Sequence, residues 1–223
     1  MEDQISNLVQ LTIHQDGLPS IHMITEAGII GKIGFNSHGV GVCFNAIRVK
    51  GLNKNGLPSH LGLRLALEST SAEAAANSLE KTGMASSAYI LVGDATTAIG
   101  LEFTSTTFAR LPLNERGFIA HSNHLILHHP NVYEPKWLED SPHRTETMGR
   151  NVLQTKEMSR EAFCGLFEDE TNYPCSISRA AEGASDIATL FNITMDLKTK
   201  SALVKEGRPI AGDTKATMLN LSF

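Results

Sequence analysis

Two short segments carry side chains suited to carbonyl chemistry. Ala120-His121-Ser122-Asn123-His124 sets an asparagine amide after a strand-like run, and Asn172-Tyr173-Pro174-Cys175-Ser176-Ile177-Ser178-Arg179 sets a guanidinium after a Cys/Ser-rich turn. A fixed amide N–H can donate to the oxygen of a carbonyl under attack. A guanidinium is the planar partner of a carboxylate. Neither group is a nucleophile, so a site built on them needs an attacking thiol from elsewhere.

The cysteines are Cys43, Cys164 and Cys175. Their spacing is neither Cys-x-x-Cys nor a zinc pattern, and an odd number makes a poor disulfide framework. A reducing, cytoplasmic setting is expected. Cys43, in Val40–Ala46, reads as a small buried hydrophobe, with a relocated nucleophile as the competing reading. Cys175 has the same two readings, and neither thiol has an N-terminal amine beside it to activate it. His121, His124, His128 and His129 include an H-x2-H spacing, but no neighbouring Cys or carboxylate pair completes a ligand set, so no metal is expected. The Gly28–Gly34 stretch lacks the Lys and the strand-to-helix context of a phosphate loop.

The elements that must position these groups follow from periodicity. Val9–Gln15, Leu18–Thr25, Gly28–Phe35 and Val40–Val49 read as four strands linked by Asp16-Gly17 and Asn36-Ser37-His38-Gly39 turns. Their many glycines point to close backbone packing or bulges. Pro58-Ser59 opens a helix, and Ser71 caps a second, Ala-rich one that stops near Gly83. Ala88–Val92, Ala98–Phe103, Thr106–Leu111 and Gly117–Ala120 read as strands. Ser141-Pro142 and Ser159-Arg160-Glu161 open two more helices. Thr189–Met195, Ala202–Lys205 and Thr217–Leu221 close the chain as strands. The order β, α, β, α, β with short links suits antiparallel sheets covered by helices, an α+β layered fold.

The 223 residues suffice for one sizeable core, and no repeat or linker divides residues 1–223. Hydrophobic content of 41% and charged content of 19% are those of a soluble globular protein. No apolar run reaches the roughly eighteen residues of a membrane span. The acidic start Met1-Glu2-Asp3 is unlike a secretory signal, and Leu221-Ser222-Phe223 is unlike a peroxisomal address. A net charge of -5 without a basic run argues against nucleic acid.

Several segments resemble the fungal acyl-CoA:isopenicillin N acyltransferase family: Ile24-Thr25-Glu26-Ala27-Gly28-Ile29-Ile30-Gly31-Lys32, Leu65-Ala66-Leu67-Glu68-Ser69-Thr70-Ser71, Gly100-Leu101-Glu102-Phe103, Ser122-Asn123-His124, Ser176-Ile177-Ser178-Arg179 and Thr189-Leu190-Phe191-Asn192-Ile193. The resemblance runs colinearly along nearly the whole chain. It implies a single domain with the αββα four-layer sandwich of the N-terminal-nucleophile hydrolases. It implies an amide N-acyltransferase or amidohydrolase working through a Cys acyl-enzyme on a peptide-derived fungal metabolite. The family thiol heads its own subunit and is served by its own α-amino group.

By the same resemblance Asn123 stabilises the oxyanion, and Arg179 holds a substrate carboxylate or orders the site. Thr104 stands where the family has a Ser beside the pocket. Cys43, Asn45 and Ser178 are expected to line the substrate. No cofactor is implied beyond acyl-CoA as a substrate. The family Cys and the strand that carries it would precede Met1, so the resemblance implies a fold with its first strand missing and little activity from the chain alone. The partners expected are an acyl-peptide or acyl-CoA, and a separate N-terminal segment or a second copy at an exposed edge near Val9–Gln15. The alternatives are a non-catalytic homologue binding an acyl-peptide or partner protein, or a truncated inactive product.

Overall fold

In the computed structural model, residues 5–183 and 185–210 are described in full and residues 218–222 as backbone. The chain divides into two compact units. The larger is Leu8–Leu138 with Met195–Lys200, and the other is built mainly of Glu139–Thr194 and Ser201–Ser222.

The larger unit is a seven-stranded sheet in the order of the chain. Its strands are β1 (Leu8–Ile13), β2 (Ile21–Glu26), β3 (Ile33–Asn36), β4 (Gly41–Ala46), β5 (Ala88–Gly93), β6 (Ala98–Phe103) and β7 (Phe108–Pro112). Every neighbouring pair is antiparallel, as short links require. Helices α1 (Ser59–Leu67) and α2 (Ala72–Thr82) enter between β4 and β5. Strand side chains alternate between faces. Val42, Ile90, Val92, Ile99, Leu101 and Phe103 therefore share one face, and they pack on Leu63, Ala66, Leu67, Ala75, Ala76 and Leu79 of the two helices. The small residues of α2 let its backbone come close to the sheet.

Three local devices fix this arrangement. Asn36 is fully buried. Its Oδ1 accepts from His38 N and Val40 N, shaping the β3–β4 turn, while its Nδ2 donates to the Leu67 and Ser69 carbonyls at the end of α1. Ser71 caps α2 by accepting from Ala74 N at 3.1 Å. Asp94 ties the β5–β6 turn to that helix: Oδ1 accepts from Thr96 N and Thr97 N, and Oδ2 accepts from Ala72 N at 2.8 Å.

All but one of the expected strands are present, most with shifted ends: Leu18–Thr25 starts only at Ile21 and Val40–Val49 stops at Ala46, whereas Ala202–Lys205 extends to Ser201–Glu206. Gly28–Phe35 is a turn followed by β3, because Ile29 N bonds to Glu26 O and Thr25 Oγ1 to Ile29 O. Gly117–Ala120 is not a strand. Asn114 folds that segment onto itself, with its N–H donating to Phe118 O and its Oδ1 accepting from Phe118 N, so no ladder partner remains. Beyond it the chain stays irregular to Leu138. β1 stands at one edge of the sheet, as expected for that segment.

The second unit holds α3 (Ser141–Gln154), α4 (Arg160–Gly165) with Ser159 accepting from Ala162 N, most of strand β8 (Phe191–Asp196), and strands β9 (Ser201–Glu206) and β10 (Met218–Ser222). The sheet order is β10-β9-β8, with β10 and β9 antiparallel. Thr217, expected to start the last strand, lies outside the described residues.

The glycine-rich signal has a physical origin at Gly31. A Cβ there would stand 2.1 Å from the His60 carbonyl oxygen and 2.7 Å from Arg64 N of α1. Gly31→Ala is expected to destabilise the protein by about 2 kcal/mol through overpacking against backbone, read as a lowered denaturant midpoint with unchanged slope.

Candidate active site

The sheet face opposite α1 and α2 is not apolar. Asn45 on β4, Tyr89 on β5 and Glu102 on β6 are direct cross-strand partners and form one row. The irregular segment after β7 passes over this row. His121 stacks on Tyr89 with ring centroids 3.5 Å apart and planes 1° from parallel. Asn45 Nδ2 donates to His121 O at 3.1 Å. A Cβ on Gly100 would lie 2.6 Å from the Tyr89 hydroxyl, so this glycine makes room for the ring. That hydroxyl is buried without a hydrogen-bond partner among the described residues. Burial first, then the charges of Cys43 and Glu102, push its pKa far up.

Glu102 has no exposed surface. Its Oε1 accepts from His121 Nε2 at 2.9 Å and Ile126 N at 2.6 Å. Its Oε2 accepts from Leu127 N at 3.0 Å and His129 Nε2 at 3.1 Å. Burial pushes this carboxyl up, but the four donors outweigh it and hold the pKa below the ordinary value. His129 Nδ1 bonds to the Thr107 hydroxyl, and that hydroxyl to Thr104 Oγ1, each at 2.8 Å. Glu134 adds a second carboxylate to the same segment, with Oε2 accepting from Leu125 N at 2.9 Å.

Asn123 is carried between these anchors. Its Nδ2 donates to Ala46 O at the end of β4 at 3.0 Å, and its Oδ1 accepts from Ser122 Oγ at 3.3 Å. The amide plane is thereby set by the sheet and by its own loop.

Thr104 is buried, and its hydroxyl accepts from Thr106 N and Thr107 N, closing the β6–β7 turn. Cys43 lies on the same face as Asn45, two residues away on β4. Burial pushes its thiol up to about 11, so at neutral pH it is protonated and a weak nucleophile. Cys43, Asn45, Thr104 and Asn123 thus fall in the larger unit, and Arg179 and Ser178 in the other.

In the second unit Arg179 is nine-tenths buried. Its Nη1 donates to Asp140 Oδ2, its Nε to Ser185 Oγ at 3.1 Å, and its Nη2 to Cys175 Sγ at 3.5 Å. Arg144 Nε donates to the same Asp140 oxygen at 2.6 Å. Two guanidiniums on one carboxylate leave the cluster with one net positive charge. Burial raises Asp140, but the hydrogen bonds from Arg179 and Arg144 hold it below the ordinary range. Ser178 is fully buried, with its hydroxyl donating to Pro209 O at 2.8 Å and its carbonyl accepting from Arg208. It braces the turn before Arg179.

Sequence reading missed Glu102, Tyr89 and the joint role of His121 and His129. No Cys or carboxylate pair stands beside the histidines in sequence, but folding brings Glu102 to the Nε2 atoms of both. The available signal was the carboxylate itself, a lone charge in the otherwise uncharged run Ala98–Phe103. Among the described residues, no helix is long and apolar enough to cross a membrane.

Known proteins show what this arrangement is similar to. The family profile described as acyl-coenzyme A:6-aminopenicillanic acid acyl-transferase matches residues 1–211. The chain belongs to that family. The acyl-coenzyme A:6-aminopenicillanic-acid-acyltransferase 40 kDa form of Emericella nidulans is 51% identical over 206 residues, which are 91% of this chain and 57% of that protein. The chain therefore spans little more than half the length of that relative. Penicillin V acylase from Agrobacterium tumefaciens matches with a TM-score of 0.54 at 10% identity, over 91% of this chain and 70% of that one. This likeness shows the fold, the α+β fold of the N-terminal-nucleophile hydrolases expected from sequence.

Asp140→Asn would leave Arg144 and Arg179 buried around a neutral amide. It is expected to cost about 3 kcal/mol at pH 7. Because the folded carboxyl lies below its ordinary 3.8, the difference from wild type is full above that value and shrinks as pH falls through the lower folded one. Urea midpoints of both proteins at pH 7 and at pH 3 check this.

Proposed function

We propose that this member of the acyl-coenzyme A:6-aminopenicillanic acid acyl-transferase family takes part in amide acyl transfer or amide hydrolysis through a cysteine acyl-enzyme. The observation that carries the reading is the family match over residues 1–211, which spans Asn123 and Arg179. The donor in this reading is an acyl-CoA or an acyl-peptide. The acceptor is the amine of a peptide-derived fungal metabolite, or water. The cytoplasmic setting expected from the unpaired cysteines belongs to the same proposal.

The attacking thiol adds to the acyl carbonyl and gives up its proton to the amine of the same residue. The Asn123 amide donates to the oxygen as negative charge develops there. Collapse expels the CoA thiolate or the amine, which takes that proton, and leaves a thioester. An amine or water then attacks the thioester and returns the thiol. Arg179, braced by Asp140 and Ser185, supplies positive charge for a substrate carboxylate or orders the site. Thr104 acts through the turn it closes, and Cys43 and Asn45 line the substrate face of the sheet.

The reading places the attacking thiol outside these 223 residues. Two features support that. Cys43 is held protonated, and the chain matches only 57% of the length of its Emericella nidulans relative. A separate N-terminal segment or a second copy would join at the β1 edge, whose outer backbone groups face no neighbouring strand among the described residues.

The test adds, in trans, the part of the Emericella nidulans relative that this chain does not match. Transfer from an acyl-CoA to 6-aminopenicillanic acid, or its hydrolysis, is expected only in the mixture. Asn123→Ala should lower kcat about 10²- to 10³-fold. Turnover by the 223-residue chain alone that Cys43→Ala abolishes without unfolding would instead make Cys43 the nucleophile. Absence of turnover in the mixture and of acyl-CoA binding would overturn the reading.

A further inference from the structure

We propose that Glu102 is a positioning residue for Asn123, a buried carboxylate whose task is to hold the loop carrying the amide in a donating pose. The inference rests on the function proposed above. Asn123 sits in an irregular segment where no strand ladder fixes the backbone. Its own side-chain bonds go to Ala46 O and Ser122 Oγ. Asn45 holds the His121 carbonyl and Glu134 the Leu125 amide, but Glu102 is the group that receives donors from both sides of that residue: His121 before it, and Ile126, Leu127 and His129 after it. Each carboxylate oxygen accepts two hydrogen bonds, so one rigid group on β6 closes the loop into a ring around Asn123.

The two histidines are braced in turn. His121 lies flat on Tyr89 and places Nδ1 against the Ser122 carbonyl at 2.8 Å. His129 is held by Thr107 at 2.8 Å. A purely structural buried carboxylate is a poor choice for stability, since well-packed apolar groups often do as well. Its return here is orientation: an amide that rotates or retreats by about 1 Å donates poorly to a developing oxyanion.

Glu102→Gln keeps the shape but turns one acceptor oxygen into an NH2 group, which faces N–H donors. In the 223-residue chain, hydrogen exchange at the Ile126 and Leu127 amides should accelerate at least about 10-fold. The Asn123 side-chain NH2 resonances should shift, and the amides of β5 should stay protected. In the reconstituted mixture, kcat should fall about 10- to 100-fold with KM nearly unchanged. The loss should not multiply with that of Asn123→Ala, because both act through one amide.

Should Glu102→Gln fail to fold, Thr107→Val removes the hydroxyl that His129 and Thr104 share. It should lower kcat about 2- to 10-fold, again without multiplying with Asn123→Ala. Unchanged exchange at Ile126 and Leu127 together with unmoved Asn123 resonances overturns the proposal. So does a kinetic loss that multiplies fully with Asn123→Ala. If the wild-type mixture shows neither turnover nor acyl-CoA binding, the proposed function fails by itself. The exchange and resonance measurements then decide whether Glu102 holds Asn123.

Discussion

A single carboxylate organises the irregular part of the larger unit. Glu102 is inaccessible to water, and an unpaired charge there would be very costly. It remains ionised because two imidazoles and two backbone amides point at it. The dependence is mutual. Those donors lie in a stretch of chain that makes no sheet of its own, so the charge needs the loop and the loop needs the charge. The row Asn45–Tyr89–Glu102 supplies the base on which this exchange stands.

The second unit solves a related problem with opposite charge. Asp140 satisfies Arg144 and Arg179 together, and its acidity is kept by them against the effect of burial. Arg179 is further held by Ser185 and by the sulfur of Cys175. A guanidinium fixed at three of its nitrogens is a directional group rather than a floating charge. Ser178 and Arg208 secure the turn that leads to it.

Much of this was legible in the residues. The continuous apolar run of β5 and the Ser71 and Gly83 signals of α2 were readable because each reflects a local rule. Crowding at the glycines was readable for the same reason, and Gly31 against α1 bears it out. Gly117–Ala120 looked like a strand because its apolar content is that of one, but Asn114 captures its hydrogen bonds locally. The Glu102 cluster was not legible, because its members lie 19 to 27 positions apart and no period links them. Asn123 and Arg179 stood out through a family resemblance rather than through spacing. Nothing in the order of residues names the carboxylate that steadies the first or the aspartate that steadies the second.

Asp94, which closes the β5–β6 turn and starts α2, has a wider meaning in this light. Side chains alternate along a strand, so a slip of one residue between β5 and β6 would exchange every group on one face for its neighbour on the other. Leu101 would then take the place of Glu102 beneath the histidines, and a carboxylate would enter the apolar layer under α1 and α2. Length changes in that hairpin are therefore all-or-none in their effect. The hairpin beneath the row must therefore keep its count if the charge is to stay under the loop that needs it.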